Sequence, residues 1–301
     1  MSVKKTEISI IMNCYNSAVY LAEAVQSVMD QTFTDWEIIF WDNQSTDDSA
    51  KIMKSFKDKR IHYFYAPKHT NLGEARNLAI EKTRAKWIAF LDCDDLWLPE
   101  KLEEQFKIIK EEEKKKTNLG LVYCKITIFG DNYKEKEPRW SKRWVNMPEG
   151  DIFYEYLLKT NFIPLLSAVI YKDLFLKTGG IPLQYRQGED YFMFAAISEI
   201  SKVRVVNKIL CRYRIHSGNL TNRQMILSVN ENIDILNHWK NKFRNNPVLN
   251  RKWKKKIKAI QSEKFAYLVL FEKDFYQAFK LLISENIYWE VLRYIVSGRD
   301  F

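Results

Sequence analysis

Apolar residues along the chain fall into short unbroken runs separated by polar turns and by stretches of helical period. Ile8-Ser9-Ile10-Ile11-Met12 is the first such run, and a short apolar run bounded by turn residues predicts a buried strand. It ends at Asn13-Cys14-Tyr15-Asn16, and from Ser17 the spacing of Leu21, Ala24, Val25 and Val28 predicts a helix with one apolar face. Trp36 to Trp41 repeats the strand pattern and stops at Asp42-Asn43-Gln44. Ser45 as N-cap, with Asp48 three residues on, then predicts a helix carrying Ile52 and Phe56. Ile61 to Tyr65 predicts a third strand, Gly73 to Thr83 a third helix, and Trp87 to Leu91 a fourth strand.

Strands alternating with helices over about 90 residues predict an α/β fold with a parallel sheet and right-handed crossovers. The polar residues that break the pattern, Asn13, Asn16, Asp42, Asp92 and Asp94, all fall at carboxyl ends of predicted strands. Parallel α/β sheets bind their ligands there, so one shared crevice is expected. The first turn lacks a glycine fingerprint, which argues against a dinucleotide oxidoreductase, and no Walker-type loop is present. Asp92-Cys93-Asp94-Asp95 crowds three carboxylates that repel one another unless a cation sits among them, which points to a metal site. The alternative is an acidic loop that caps the helix near Pro99.

Beyond this point a helix is predicted from Pro99 to about Lys116 and a strand from Leu119 to Phe129. Gly130 to Gly150 is a polar loop containing Trp140 and Trp144, either a lid or an ordinary surface excursion. Phe162 to Tyr171 is strand-like, and Gly179-Gly180 ends a short helix. Gly188-Glu189-Asp190 opens a helix through Ile197, where acids in the first turn also have an ordinary dipole explanation. Val203 to Val206 and Leu210 to Ile215 read as two short strands. In the tail, Ile226, Val229, Ile233, Leu236 and Phe243 lie at helical spacing before Asn246-Pro247 stops the element.

Composition supports a large folded core: 301 residues, 46% of them hydrophobic. The net charge of +10 is unevenly placed, with 31 Lys and Arg against 30 Asp and Glu up to Cys211, and 17 against 8 from Arg212 onward. Arg251 to Lys258 alone holds six cations, with Trp253, Ile257, Ile260 and Leu268 forming an apolar stripe. Such a helix either lies on an anionic membrane or packs on the catalytic domain with its charges in water. Cys14, Cys93, Cys124 and Cys211 show no paired spacing, so neither a zinc site nor a disulfide framework is expected, and a reducing cytosol fits. The short polar N-terminus leaves no room for a signal peptide, and no apolar run approaches the ~18–20 residues of a membrane span. A soluble or peripheral protein is expected.

Taken in order, these motifs resemble the family 2 inverting glycosyltransferases, which have the GT-A fold and use a nucleotide sugar as donor. The resemblance covers roughly Ile8 to Thr221. It rests on Ile8 to Asn16, on Trp41-Asp42-Asn43-Gln44-Ser45-Thr46-Asp47 and on Asn71-Leu72-Gly73-Glu74-Ala75-Arg76-Asn77. It continues through Leu91-Asp92-Cys93-Asp94-Asp95 (the Asp-x-Asp motif), Gly188-Glu189-Asp190 and Tyr213-Arg214-Ile215-His216-Ser217-Gly218. Gln44 stands where the family usually has glycine. The resemblance implies a GT-A catalytic domain over 1–221, with a nucleotide-sugar half to about 118 and an acceptor half from about 119. A basic helical region over 222–301 lies outside the motifs.

The resemblance further implies that Asp42 accepts from the uracil N3 while Asn13, Tyr15 and Asn16 contact the nucleoside. Asn71 and Gly73 would belong to the donor-binding turn. Asp92 would hold the ribose and stand with Asp94 at an Mn²⁺ or Mg²⁺ ion, with Asp95 in a supporting or capping role. Arg76 and His216 would contact the diphosphate, and His216 is either a further metal ligand or a simple hydrogen-bonding residue. Asp190 would be the catalytic base and Glu189 its neighbour on acceptor hydroxyls. A UDP-sugar donor, a saccharide or lipid-linked glycan acceptor, and a cytoplasmic place on the inner membrane face follow, in polysaccharide or lipooligosaccharide synthesis.

Other readings fit less well. A dehalogenase-type phosphohydrolase wants Thr or Val where Leu96 stands and tends to begin with its Asp-x-Asp strand, whereas three strand–helix units precede it here. A sugar nucleotidyltransferase needs a glycine-rich basic first loop. A non-catalytic protein holding an anionic partner through its tail is the third alternative; with no nucleic-acid module recognisable, nucleic acid is not expected.

Overall fold

The computed structural model describes residues 6–130, 133–144, 146–219, 225–269, 274–285, 287 and 291. The chain forms two compact units, the first of residues 1–153, 161–184 and 192–218, the second of 154–160, 185–191 and 219–301. The expected boundary at 221/222 lies outside the described residues.

The first unit is built on a nine-stranded sheet. Its strands are β1 (Ile8–Cys14), β2 (Trp36–Asp42), β3 (Ile61–Tyr65), β4 (Trp87–Phe90), β5 (Leu96–Trp97), β6 (Leu119–Gly130), β7 (Tyr133–Lys136), β8 (Val169–Tyr171) and β9 (Lys202–Arg214). They are ordered β3-β2-β1-β4-β8-β6-β9-β5, with β7 on the side of β6. Parallel pairing joins β3, β2, β1 and β4, and joins β6 to β9, while β8 pairs antiparallel with both β4 and β6. Six strands therefore share one direction and only β5, β7 and β8 oppose it, so the sheet is mostly parallel, as expected.

Helices α1 (Ala18–Met29), α2 (Ser49–Ser55), α3 (Leu72–Ile80), α4 (Lys101–Lys114), α5 (Phe153–Leu158), α6 (Lys172–Lys177) and α7 (Glu189–Ile200) connect the strands. Every residue of β2 and of β4 is buried, the mark of strands covered on both faces. α1 buries Leu21, Ala24, Val25 and Val28, the face its spacing predicts.

Several boundaries differ from expectation. Ser45 is not an N-cap: α2 begins at Ser49 behind Asp48, because the Ser45 amide is drawn back to Asp42. Of Phe162 to Tyr171 only the last three residues are strand, since Pro164 leads into a 3-10 turn at Leu165–Ser167. The two short strands near 203–215 are the single strand β9, whose break in pairing with β6 is absorbed by register shifts at Cys124 to Ile126. The Gly130 to Gly150 loop carries β7 and a 3-10 turn, and is fastened along β9 by Glu135 to Arg212, Glu149 to Arg204 and Asn146 to Asn207. The cysteines, scattered in sequence, meet in space: the Cys124 and Cys211 sulfurs lie 3.5 Å apart as free thiols, and Cys93 lies against Cys14.

The second unit is helical in its tail: α8 (Met225–His238), α9 (Lys240–Arg244), α10 (Pro247–Tyr267) and α11 (Phe275–Ser284). Asn246 and Pro247, which end α9, also start α10: the Asn246 side chain accepts from the Val248 and Leu249 amides and Pro247 occupies the first turn. Trp253 is buried, not exposed; its indole donates to the Leu236 carbonyl at 3.2 Å and stacks on Phe243. No described helix is long and apolar enough to cross a membrane.

Candidate active site

Four strands that share a direction end side by side or close by, and their ends carry the polar residues of the first unit. At the end of β1, Asn16 takes a left-handed backbone (φ 51°) and its Oδ1 accepts from the Thr46 and Asp47 amides at 2.8 and 3.3 Å. Its own amide donates to Ser45 Oγ. Asn16 thus locks the turn after β1 to the turn after β2. Asn13 is half-buried, and its Nδ2 has no hydrogen-bond partner among the described residues. Tyr15 is 53% exposed and packs its ring 4.4 Å from that of His69.

Asp42 is fully buried at the end of β2, with Oδ1 accepting from the Ser45 amide at 2.7 Å and Oδ2 from the Tyr63 hydroxyl at 2.6 Å. Burial and this carboxylate push the Tyr63 hydroxyl well above its ordinary pKa. Asp42 therefore shapes the turn, and no oxygen of it is exposed to a base. Asn71 caps α3 by accepting from the Glu74 amide at 2.8 Å. A Cβ on Gly73 would come within 3.2 Å of Ile181, so its bareness serves close packing.

Each acid after β4 has its own partner. Arg76, expected on a diphosphate, is buried and donates to Asp92 Oδ1 at 3.0 Å; its guanidinium holds Asp92, which stays 42% exposed. His216 Nδ1 accepts from the Gly218 amide at 3.1 Å, which puts the ring proton on Nε2, and Nε2 donates to Asp94 Oδ2 at 2.9 Å. Asp95 is buried and accepts from the Arg214 amide at 2.8 Å. Arg214 also donates from Nε to the Asp94 carbonyl and pairs with Glu23, its guanidinium lying over the Tyr20 ring. Burial, then the charge of Asp92, raises the Asp94 carboxyl above the ordinary aspartate range. Burial, then Asp94 and Asp92, raises Asp95 further.

This set suits a divalent cation. Two ligands in neighbouring octahedral positions, each about 2.1 Å from the ion, lie about 3.0 Å apart. The Asp94 Oδ2 and His216 Nε2 atoms, 2.9 Å apart, match that span. No three His, Cys, Asp or Glu side chains form a cage among the described residues, so Asp94 and His216 would hold an ion only in part, with substrate oxygens and water supplying the rest.

Asn13, Tyr15, Asn16, Asp42, Asn71, Gly73, Arg76, Asp92, Asp94 and His216 all belong to the first unit, whereas Glu189 and Asp190 belong to the second, at the first turn of α7. The sequence reading gives Arg214 no role beyond its place in the Tyr213–Gly218 segment and does not single out His69. Arg214 closes β9, two residues before His216, so that segment was its signal. His69 had no such signal: its Nδ1 is fixed by the Asn43 carbonyl at 2.9 Å, a contact between distant turns.

Comparison with known proteins supplies the family. The model of glycosyl transferase family 2 matches residues 9–175. The chain is 27% identical over 224 residues to the putative teichuronic acid biosynthesis glycosyltransferase TuaG of Bacillus subtilis (strain 168), covering 73% of this chain and 83% of that one. It is 28% identical over 222 residues to the Escherichia coli UDP-Glc:alpha-D-GlcNAc-diphosphoundecaprenol beta-1,3-glucosyltransferase WfgD, covering 72% of this chain and 80% of that one. Its fold resembles that of S. aureus TarS in complex with UDP-GlcNAc at a TM-score of 0.62 and 16% identity, over 89% of this chain and 74% of the other. The family model matches more than half of the chain, on a mostly parallel sheet flanked by helices, and makes this chain a member of glycosyl transferase family 2.

Proposed function

We propose that the protein transfers a hexose or N-acetylhexosamine from a UDP-linked donor to a hydroxyl of a saccharide or lipid-linked glycan, by a single inverting displacement. The observation that carries this reading is the 2.9 Å Asp94–His216 pair beside the arginine-held Asp92. The exposed Tyr15 ring offers a face on which a base stacks, and the turn from Asn13 to Asn16 cradles the nucleoside. Asp92 accepts from a ribose hydroxyl, its orientation set by Arg76. Asp94 and His216 would hold Mn²⁺ or Mg²⁺, the His216 ring proton moving from Nε2 to Nδ1, where it would displace the Gly218 amide contact. When bound, that ion supplies positive charge to the departing diphosphate.

Asp190 takes the proton of the acceptor hydroxyl as that oxygen bonds to the sugar's anomeric carbon and the bond from that carbon to the diphosphate breaks, releasing UDP. Glu189 binds acceptor hydroxyls beside it. An α-linked UDP-hexose then yields a β-linkage. The first unit serves the donor, and the second, with α7's first turn and the basic tail, serves the acceptor. The UDP-glucose donor in WfgD's name and the UDP-GlcNAc bound to TarS support the donor class, and the diphosphoundecaprenol in WfgD's name supports a lipid-linked acceptor. A cytoplasmic place, peripheral on an anionic membrane through residues 251–258, fits such an acceptor.

The test is thermal. UDP is expected to raise the melting temperature only with Mn²⁺ or Mg²⁺ present, because a ligand stabilises the state that binds it. Asp94→Asn should abolish that shift. Asp190→Asn should keep it and lose transfer; turnover at the wild-type rate would sink the base assignment.

A further inference from the structure

The turn that leads into α7 is held from the tail. Glu231 on α8 is 7% exposed, and its carboxylate gathers three consecutive main-chain donors. Oε1 accepts from the Arg186 amide at 3.0 Å, and Oε2 from the Gln187 and Gly188 amides, both at 2.8 Å. These are the residues immediately before Glu189 and Asp190. One turn along α8, Asp234 accepts from the Tyr185 hydroxyl at 2.7 Å. Ile235 lies so close that a Cβ on Gly188 would meet its Cδ1 at 2.7 Å. Residues 231, 234 and 235 share one helix face, so a single surface of α8 grips the whole segment from Tyr185 to Gly188.

We infer that Glu231 is a positioning residue for the Glu189–Asp190 pair, and that the tail helix α8 is thereby a working part of the acceptor machinery. The inference rests on the reading of Asp190 as base. Three successive amides pointing at one carboxylate fix the backbone dihedrals of three successive residues. The first turn of α7 continues from them, so the direction in which Asp190 leaves the main chain is set by Glu231. Hydrogen bonds to a buried carboxylate are among the stronger ones in proteins, and this carboxylate has no cheaper way to be satisfied. Small displacements of a reacting group cost large factors in rate.

The chemistry of the side chain makes the role testable. Glu231→Gln keeps the shape but replaces one acceptor oxygen by an NH₂ group, which faces amide donors and repels them. Glu231→Asp keeps the carboxylate on a shorter stem. The readouts are release of UDP from a panel of UDP-hexoses and UDP-N-acetylhexosamines with Mn²⁺, and the UDP-plus-Mn²⁺ melting shift. Glu231→Gln should lower kcat on the order of 10–100-fold, leave donor KM and the melting shift unchanged, and be partly rescued in Glu231→Asp. In an Asp190→Asn background, Glu231→Gln should cost little more, because the group it positions is already gone.

Turnover of folded Glu231→Gln within about twofold of wild type would overturn the inference, as would a loss that simply adds to that of Asp190→Asn. A parallel collapse of donor KM, melting shift and kcat would also overturn it, by showing a general structural role. If Asp190→Asn itself turns over normally, it is the base assignment that fails, and that result is read from the single variant alone.

Discussion

At the residue scale, the three acids after β4 are no longer equivalent, and Asp95 shows it most clearly. It is buried, and its carboxyl is raised well above the ordinary value of 3.8 by burial first and by Asp94 and Asp92 next. A carboxyl whose pKa is raised on folding contributes stability below the unfolded value, and that contribution is lost as pH rises through the folded value. An aspartate at this place is therefore a cost to stability at neutral pH, while its Oδ1 fixes the Arg214 amide. Asp95→Asn retains an acceptor for that amide without the charge. It is expected to melt roughly 2–4 °C higher than wild type at pH 7, with the gap closing below about pH 4. A melting series from pH 3 to 8 on both proteins checks this; a gap independent of pH would contradict it. The crowding of acids was legible in the chain, but the partners were not. Arg76, Arg214 and His216 stand 16 to 122 positions from the acids they serve. Gln44 shows a rule read correctly but without its cause: its φ of 72° is the left-handed conformation, for which glycine is the easy choice.

At the element scale, the site depends on how β6 and β9 run together. β9 delivers Arg214 and His216 because its pairing with β6 continues to Phe129 and Arg214, and the Ile215 amide then donates to the Phe129 carbonyl at 2.7 Å. Gly130 sits at that junction, and a Cβ there would collide with the Ile215 carbonyl oxygen, a main-chain atom that cannot swing aside. Gly130→Ala is expected to cost about 1–3 kcal/mol of stability by overpacking. Moving the backbone ahead of His216 should also raise the Mn²⁺ concentration needed for half-maximal UDP stabilisation on the order of tenfold. A variant that is less stable yet has unchanged Mn²⁺ dependence would show that the strand end does not set the histidine. The elements themselves were unequally readable. The first four strands and the helices between them follow from unbroken apolar runs and clean helical spacing. β5 has two residues and exists only because Leu96 and Trp97 pair with Arg212 and Cys211. β9 looked like two strands because Asn207 and Lys208 interrupt its apolar pattern, and only the register shifts opposite them show how it stays whole.

At the scale of the whole molecule, the uneven charge told of a tail with its own task, but not which side of it faces outward. Successive residues of a helix are turned by about 100°, so Arg251, Lys252, Lys254 and Lys255 fall within an arc of about 160° with Trp253 opposite. All four are exposed, while Trp253 is buried against Leu236 and Phe243. The embedded tryptophan that made the helix resemble a lipid-inserting one is thus spent on the interior of its own unit, and a hold on a membrane through residues 251–255 is electrostatic. That changes the expected behaviour. Basic residues near an anionic surface contribute about 1 kcal/mol each, and the attraction is screened within about 3 Å at 1 M salt. Vesicles of mixed neutral and anionic lipid should therefore sediment the protein at low salt and release it at 1 M. Replacing Arg251, Lys252, Lys254 and Lys255 by Gln should weaken the association on the order of a hundredfold or more while the UDP-plus-Mn²⁺ melting shift stays as in wild type. Binding that persists at 1 M salt, or in the fourfold variant, would place the contact elsewhere and make it apolar. With Glu231 on the same tail holding the turn before Asp190, a charged face that keeps α10 at the membrane would bring the unit proposed to bind the acceptor to a lipid-linked glycan rather than merely anchor the enzyme.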